Sequence, residues 1–216
     1  MNFSFLGGKL LPVGVLMPVN LPSKTKSRTA LPLRSTGAIG SDIRALRRSR
    51  QWTLTDLAEQ LDRSVGWLSQ VERNVSEPAL EDIRKIAALF ALPVSFFFSA
   101  PADDDESTHI VRAGARRLIR DDAKGLFESL LSPDLGGAFE MVHSVFAPGA
   151  RCPAPVTRPT EEAGYVVAGC LTLLIGSARY EVGVGDSFRI SGEAFQWRND
   201  GDVEAVVIWV IAPPVY

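Results

Sequence analysis

The stretch "LTDLAEQLDRSVGWLSQVERN", residues 54–74, sets two apolar rhythms around a short polar break, and few folds accommodate it. Leu54, Leu57, Ala58 and Leu61 fall at i, i+3, i+4 and i+7, one face of a helix that Thr53 can cap. Asp62-Arg63 interrupts the pattern, and Ser64 caps a second helix. There Leu68 and Val71 point inward, while Val65, Gly66, Ser69, Gln70 and Arg73 are left facing out. Each helix is barely more than two turns long, too short to be stable alone, so the pair must pack on neighbours. Ala58 permits close helix approach, and Asn74 suits the left-handed conformation that ends many helices.

The neighbours are legible on both sides. Ile43, Leu46 and Arg47 begin a preceding helix with Arg44, Arg48 and Arg50 on its exposed side, ending at Gln51-Trp52. After a loop, Leu80, Ile83, Ile86, Ala87 and Phe90 mark a fourth helix, and Ser95 after Pro93 starts a fifth. A short helix with polar side chains on its outer face, held at a fixed angle to its predecessor, has the dimensions to enter a DNA major groove.

From "IRALRRSRQWTLTDLAEQLDRSVGWLSQVERNVSEPALEDIRKIAALFALPVSFFF", residues 41–98 resemble an XRE-type helix-turn-helix domain, the lambda-repressor-like five-helix module. Asp62, where the family commonly has Gly, and Asn74 depart from its pattern but tolerate left-handed backbone. The resemblance implies a DNA-binding set of Thr53, Ser64, Val65, Gly66, Trp67, Ser69, Gln70 and Arg73. Within it, Gln70 can pair with adenine through both ends of its amide, a contact worth about 1–3 kcal/mol of discrimination. Thr53 and Ser64 aim backbone N–H groups outward where phosphates can dock, although capping alone also accounts for them. Trp67 has two readings, core residue or DNA contact, and Glu72-Arg73 reads as an ion pair closing the helix.

Charge divides the chain in the same place. Residues 1–100 hold 13 Lys/Arg against 8 Asp/Glu, and residues 101–216 hold 10 against 17. A basic half joined to an acidic half suggests that only the first meets a polyanion. Residues 1–40 read as a disordered basic arm: "SKTKSRTALPLRSTGAIGS" lacks acidic residues and is rich in Ser, Thr, Pro and Gly. Its apolar run "LLPVGVLMPV" is far short of the roughly 20 residues that span a bilayer. Lys9 alone precedes that run, which does not make a secretory signal. Two cysteines, Cys152 and Cys170, supply no disulfide framework and fit a reducing compartment, so a cytoplasmic protein is expected.

"APADDDEST" opens a linker over residues 99–110. Residues 109–133 begin with one possible strand and turn polar; beyond them the period becomes two. "FEMVHSVF", "AGYVVAGCLTLLIG", "ARYEVGVGDSFRI", "FQWRN" and "EAVVIWVIAPP" are short runs separated by Gly, Pro and Asp, without intervening helices, as in a sandwich or barrel.

Gly149, Glu162 and Gly169, followed by Gly185-Asp186, give residues 136–213 a likeness to the cupins, small double-stranded β-helix barrels of the RmlC-like jelly-roll type. Where the metal-binding histidines of that family should fall, this chain has "APVTRP", residues 154–159, and Phe195-Gln196. Its two histidines, His109 and His143, lie elsewhere. No metal site and no cofactor are therefore expected, and the metal-dependent activities associated with cupins do not carry over. A barrel mouth is a common ligand site, and Arg151, Glu162, Tyr165 and Gln196 are the polar residues expected near it.

The expectation is thus a multidomain regulator without enzymatic activity. An all-α five-helix head (41–98) binds a double-stranded operator, and an all-β cupin-like domain (111–216) binds a small effector and makes a homodimer. Two alternatives stay open: a cupin enzyme tethered to a DNA-binding head, and a barrel that only dimerises.

Overall fold

A computed structural model describes residues 37–98, 109–121 and 125–214. The expected basic arm, apart from its last four residues, and residues 99–108 of the expected linker lie outside the described residues. Four α-helices come first: α1 (Gly37–Ser49), α2 (Leu54–Gln60), α3 (Val65–Glu72) and α4 (Leu80–Leu89). The expected fifth helix is a five-residue 3-10 turn, Val94–Phe98, whose Phe96 N–H bonds the Pro93 carbonyl at 2.9 Å. After Pro93 the chain tightens to i→i+3 bonding, which buries Phe96 and Phe97 side by side in the core. The count of five helices is corrected to four.

Each α-helix ends in the same way. Gln51, Asp62, Asn74 and Ala91 have φ between 55° and 58°, in the left-handed region. The following N–H groups of Trp52, Arg63, Val75 and Leu92 reach back to the carbonyls of Arg47, Ala58, Gln70 and Ala87 at 2.9–3.1 Å. These are Schellman closures, which satisfy carbonyls the helix leaves open.

Ile43, Leu46, Leu57, Leu68, Ile86 and Phe96 are fully buried at the centre of the head. Such side chains contribute about 1.5–3 kcal/mol each. Leu80, expected on the inner face of α4, is instead exposed at its first turn. Two ion pairs fix the helix angles, one buried, Arg47–Glu72, and one between the exposed Arg63 and the buried Asp82. Arg47 grips both oxygens of Glu72 at 2.6 and 2.9 Å and donates to the Trp52 carbonyl, tying α1 to the end of α3. Glu72 is therefore paired with Arg47 and not with Arg73, whose Nε caps the Ser69 carbonyl. Arg63 donates to the buried Asp82 at 2.9 Å, tying the α2–α3 turn to the start of α4. At Gly40 a side chain would strike the Val71 carbonyl and Asn74 Oδ1, so this glycine lets α1 touch α3.

Among the described residues nine antiparallel strands follow: β1 (Arg117–Asp121), β2 (Leu126–Leu130), β3 (Glu140–Phe146), β4 (Glu161–Ala168), β5 (Cys170–Ile175), β6 (Ala178–Gly183), β7 (Ser187–Ser191), β8 (Phe195–Arg198) and β9 (Ala205–Ala212). They form a six-stranded sheet in the order β1-β2-β3-β9-β4-β7 and a three-stranded sheet β6-β5-β8. β1 and β2 fall in the segment read as one possible strand and polar chain; each is only five residues long, and a bulge breaks the alternation of β1. Between the sheets pack Phe146, Val166, Leu173, Trp197 and Trp209. Asn199, 1% exposed, braces the corner: its Nδ2 donates to the Phe146 and Val203 carbonyls, both at 2.8 Å.

Head and barrel meet along β1 and β2. Leu130 and Leu135 are buried within the same apolar cluster as the helices. Arg117 is the fastening: Nη1 lies 2.9 Å from Asp42 Oδ2 of α1, Nη2 donates to the Pro133 carbonyl, and the guanidinium stacks 4.8 Å over Phe96. β1 carries a bulge at Ile119, between partners Leu118↔Ser129 and Arg120↔Glu128. Ile119 packs against both cores.

Candidate nucleic-acid interface and barrel cavity

α3 is positioned by its inward side. Leu68 and Val71 are sealed in the head core and Glu72 is locked to Arg47, so Val65, Gly66, Gln70 and Arg73 stand on the exposed face. Ser69 is half-buried. Ser64 Oγ accepts from the Trp67 N–H at 3.1 Å, capping the helix. Thr53 is absorbed by a reciprocal capping box with Asp56, at 2.7 and 3.1 Å. The Thr53 N–H and hydroxyl hold the Asp56 carboxyl below its ordinary value.

Trp67 sits at the edge of the head core. It is half-buried against the head core, and the Arg63 guanidinium lies 5.1 Å over its ring. Its edge lines a hollow with Ala58, Glu59, Asp62, Arg63 and Ser64 beside the start of α3. Gln70 is held in place by Ser76, whose hydroxyl donates to Gln70 Oε1 at 2.9 Å. Sequence reasoning missed Ser76, because a support six residues away in a loop leaves no periodic trace.

The second site is a cavity of about 140 Å³ opening between the sheets of the barrel. Arg151 and Glu162 line it; Tyr165 and Gln196 do not. Strand alternation explains the difference. On β4, Glu162, Gly164 and Val166 face in, so Tyr165 faces out and is half exposed. On β8, Phe195 and Trp197 face the cavity, leaving Gln196 to reach the Cys152 carbonyl from the side at 3.5 Å. Glu162, 2% exposed, accepts from Thr160 Oγ1 at 2.9 Å and lies 3.5 Å from Arg158. Arg120 of β1 lies 3.3 Å from Glu128, which also accepts from Ser144. Arg120, Glu128, Arg158 and Trp209 were not anticipated in the wall. Placing Arg120 and Glu128 requires the register of β1 and β2, and placing Arg158 and Trp209 requires the loop before β4 and the register of β9, none of which the sequence displays.

Cupin barrels suggest a metal, and the cavity offers it poor ligands. Both carboxylates are engaged by hydroxyls and guanidiniums, and the neighbouring arginines oppose a cation. Among the described residues no three His, Cys, Asp or Glu side chains converge. The residues present do not fit a transition-metal centre.

The outer face of the six-stranded sheet is apolar across three strands. Pairing sets His143, Ile208 and Tyr165 in one row, and Met141, Val210 and Ala163 in the next. Burial, and secondarily the charge of Arg116, push the His143 imidazole below its ordinary pKa. No helix among the described residues is long and apolar enough to cross a membrane.

Comparison with known proteins gives two family matches, a helix-turn-helix domain over residues 38–95 and a cupin domain over residues 142–211. The HTH-type transcriptional regulator SutR of Escherichia coli (strain K12) is 27% identical over 166 residues, covering 76% of this chain and 88% of that protein. The HTH-type transcriptional regulator PuuR of the same organism is 23% identical over 155 residues, covering 71% and 83%. A solved HTH_3 family transcriptional regulator from Vibrio cholerae is 22% identical, covering 83% of this chain and 97% of that one, with a TM-score of 0.41. The chain thus carries a helix-turn-helix domain followed by a cupin domain, and the relatives it resembles over most of their length are HTH-type transcriptional regulators.

Proposed function

We propose that this regulator is a cytoplasmic homodimeric repressor. It sets α3 in the major groove of each operator half-site, and its barrel binds a small effector rather than catalysing a reaction. The observation that carries the reading is the face of α3: a helix anchored from behind by two buried residues and an ion pair, with Gln70 pre-positioned by Ser76. One short helix makes too few base contacts, so two heads about one helical turn of DNA apart are needed. The apolar outer sheet around Tyr165, Val167 and Val210, each more than a third exposed, suits a self-complementary contact.

β1 gives an effector a route to the head. Arg117 of this strand is fastened to α1, Arg120 stands in the cavity wall, and the bulge residue Ile119 touches both cores. Movement of Arg120 on binding strains the strand that holds the head.

Fluorescence anisotropy with operator and random duplexes tests the DNA assignment. Gln70→Ala should weaken operator binding roughly 5- to 150-fold, the equivalent of about 1–3 kcal/mol, with little change on random DNA. Arg44→Ala, an exposed charge on α1, should weaken both alike and lower the salt slope by about one. Equal losses for Gln70→Ala on the two duplexes refute base reading by this residue.

A further inference from the structure

In the barrel cavity the cationic side chains outnumber the carboxylates. Three guanidiniums, Arg120, Arg151 and Arg158, face two carboxylates, Glu128 and Glu162. Each carboxylate is already matched: Glu128 with Arg120, Glu162 with Arg158. Arg151 has no ion-pair partner among the described residues. The second unmatched donor is deeper. Trp209 lines the same cavity, is 5% exposed, and its Nε1–H is buried with no acceptor among the described residues. Leaving a buried N–H unpaired is costly, so native interiors rarely do it without a reason.

Trp209 is held in that position. Phe188 packs edge-on at 5.0 Å, over Gly164, where any side chain would strike the Phe188 ring. Gly164 pairs with both Phe188 and Trp209 across the sheet. The rest of the wall is apolar, with Phe146, Val156, Phe195 and Ile211. A cavity of about 150 Å³ accommodates a molecule the size of benzene, about six non-hydrogen atoms.

We infer that the cavity takes a short-chain monocarboxylate, its acid group bound by Arg151 and the Trp209 N–H and its hydrocarbon tail among the aromatic residues. A guanidinium without an ion-pair partner at the wall and a buried N–H without an acceptor call for an anion, and the cavity's net charge of one positive unit accepts a single carboxylate. A primary amine would add a third unmatched donor group and a like charge beside Arg151. This inference rests on the effector-binding reading of the barrel and narrows it to a ligand class.

The test uses the full chain and three matched probe series in calorimetry: butyrate and valerate, their amides, and butylamine and pentylamine. The acids should bind at least tenfold more tightly than amides or amines of the same length. Arg151→Gln should weaken butyrate binding at least tenfold, Arg151→Lys should retain the preference for acid over amide, and Trp209→Phe should weaken butyrate severalfold. Butylamine binding more tightly than butyrate overturns the carboxylate assignment while leaving a ligand-binding barrel in place. Equal binding of acid and amide, or butyrate affinity untouched by Arg151→Gln, overturns it likewise. The absence of saturable binding in all three series overturns it too. Failure of a chemically broad ligand set in the same assay then removes the effector-binding reading as well.

Discussion

Cutting the Arg117–Asp42 pair tests whether head and barrel behave as one unit. The two side chains are 8% and 6% exposed and sit 2.9 Å apart, so neither charge regains water when its partner is removed. Arg117→Met leaves the Asp42 carboxylate buried without its guanidinium and also strips the cation from above Phe96. Removing one member of a buried pair costs about 3–5 kcal/mol, whereas replacing both by apolar residues of similar volume is near neutral. Asp42→Leu should cost a similar amount, and the Asp42→Leu/Arg117→Met double variant should recover most of the loss. For a chain of this size each kcal/mol moves Tm by about 2–4 °C, so the single variants should melt about 6–20 °C lower. Guanidinium titration followed by tryptophan fluorescence measures both, because Trp52 and Trp67 report on the head, and Trp197 and Trp209 on the barrel. The single variants should split one transition into two, the head melting first. Losses below about 1 kcal/mol, or losses that simply add in the double variant, refute the argument that this pair fastens the head.

Two further perturbations follow from local geometry. Ala91→Gly relieves a left-handed backbone that costs an L residue about 1–2 kcal/mol, partly offset by a more flexible unfolded chain, and should raise the denaturant midpoint. Gly40→Ala should lower it, because the new methyl meets the Val71 backbone carbonyl. His143 supplies a pH dependence. Its folded pKa is depressed, so between that value and the usual imidazole range near 6.5 the unfolded chain binds more protons, and stability falls as the pH is lowered through this window. His143→Gln should flatten that part of the stability-against-pH curve, as read from chemical denaturation at each pH. An unchanged slope would remove His143 as its origin.

Much of the head was legible because its rules are local. Thr53 and Ser64 cap the helices, and Asp62 and Asn74 turn left-handed, as residue type alone indicates. Gln51 and Ala91 make the same turn with no such indication, closed by the Trp52 and Leu92 N–H groups reaching back to the Arg47 and Ala87 carbonyls. The partner of Glu72 was not legible, since Arg47 lies 25 residues away and Arg73 is adjacent. In the barrel the strands from β3 onward show their period, but a residue's face depends on register. An odd offset decides it: three positions separate Glu162 inside from Tyr165 outside, and one separates Phe195 inside from Gln196 beside it. Gly40 and Arg117 carry no periodic signal, because their reasons lie in α3 and α1.

The bulge in β1 matters most for the proposed mechanism. In a regular strand, alternation alone sets which face each residue meets; the extra residue Ile119 resets it between Arg117 and Arg120. One five-residue strand thereby engages the head through Arg117 and the cavity through Arg120. An effector that displaces Arg120 from Glu128 acts on operator affinity only through a difference in binding between two arrangements of this strand. Linkage then demands reciprocity: whatever factor the effector imposes on operator affinity, the operator imposes on effector affinity. Loosening Arg117 from Asp42 disconnects the strand from α1, so it must bring both factors toward one together while leaving the cavity wall and the α3 face chemically intact.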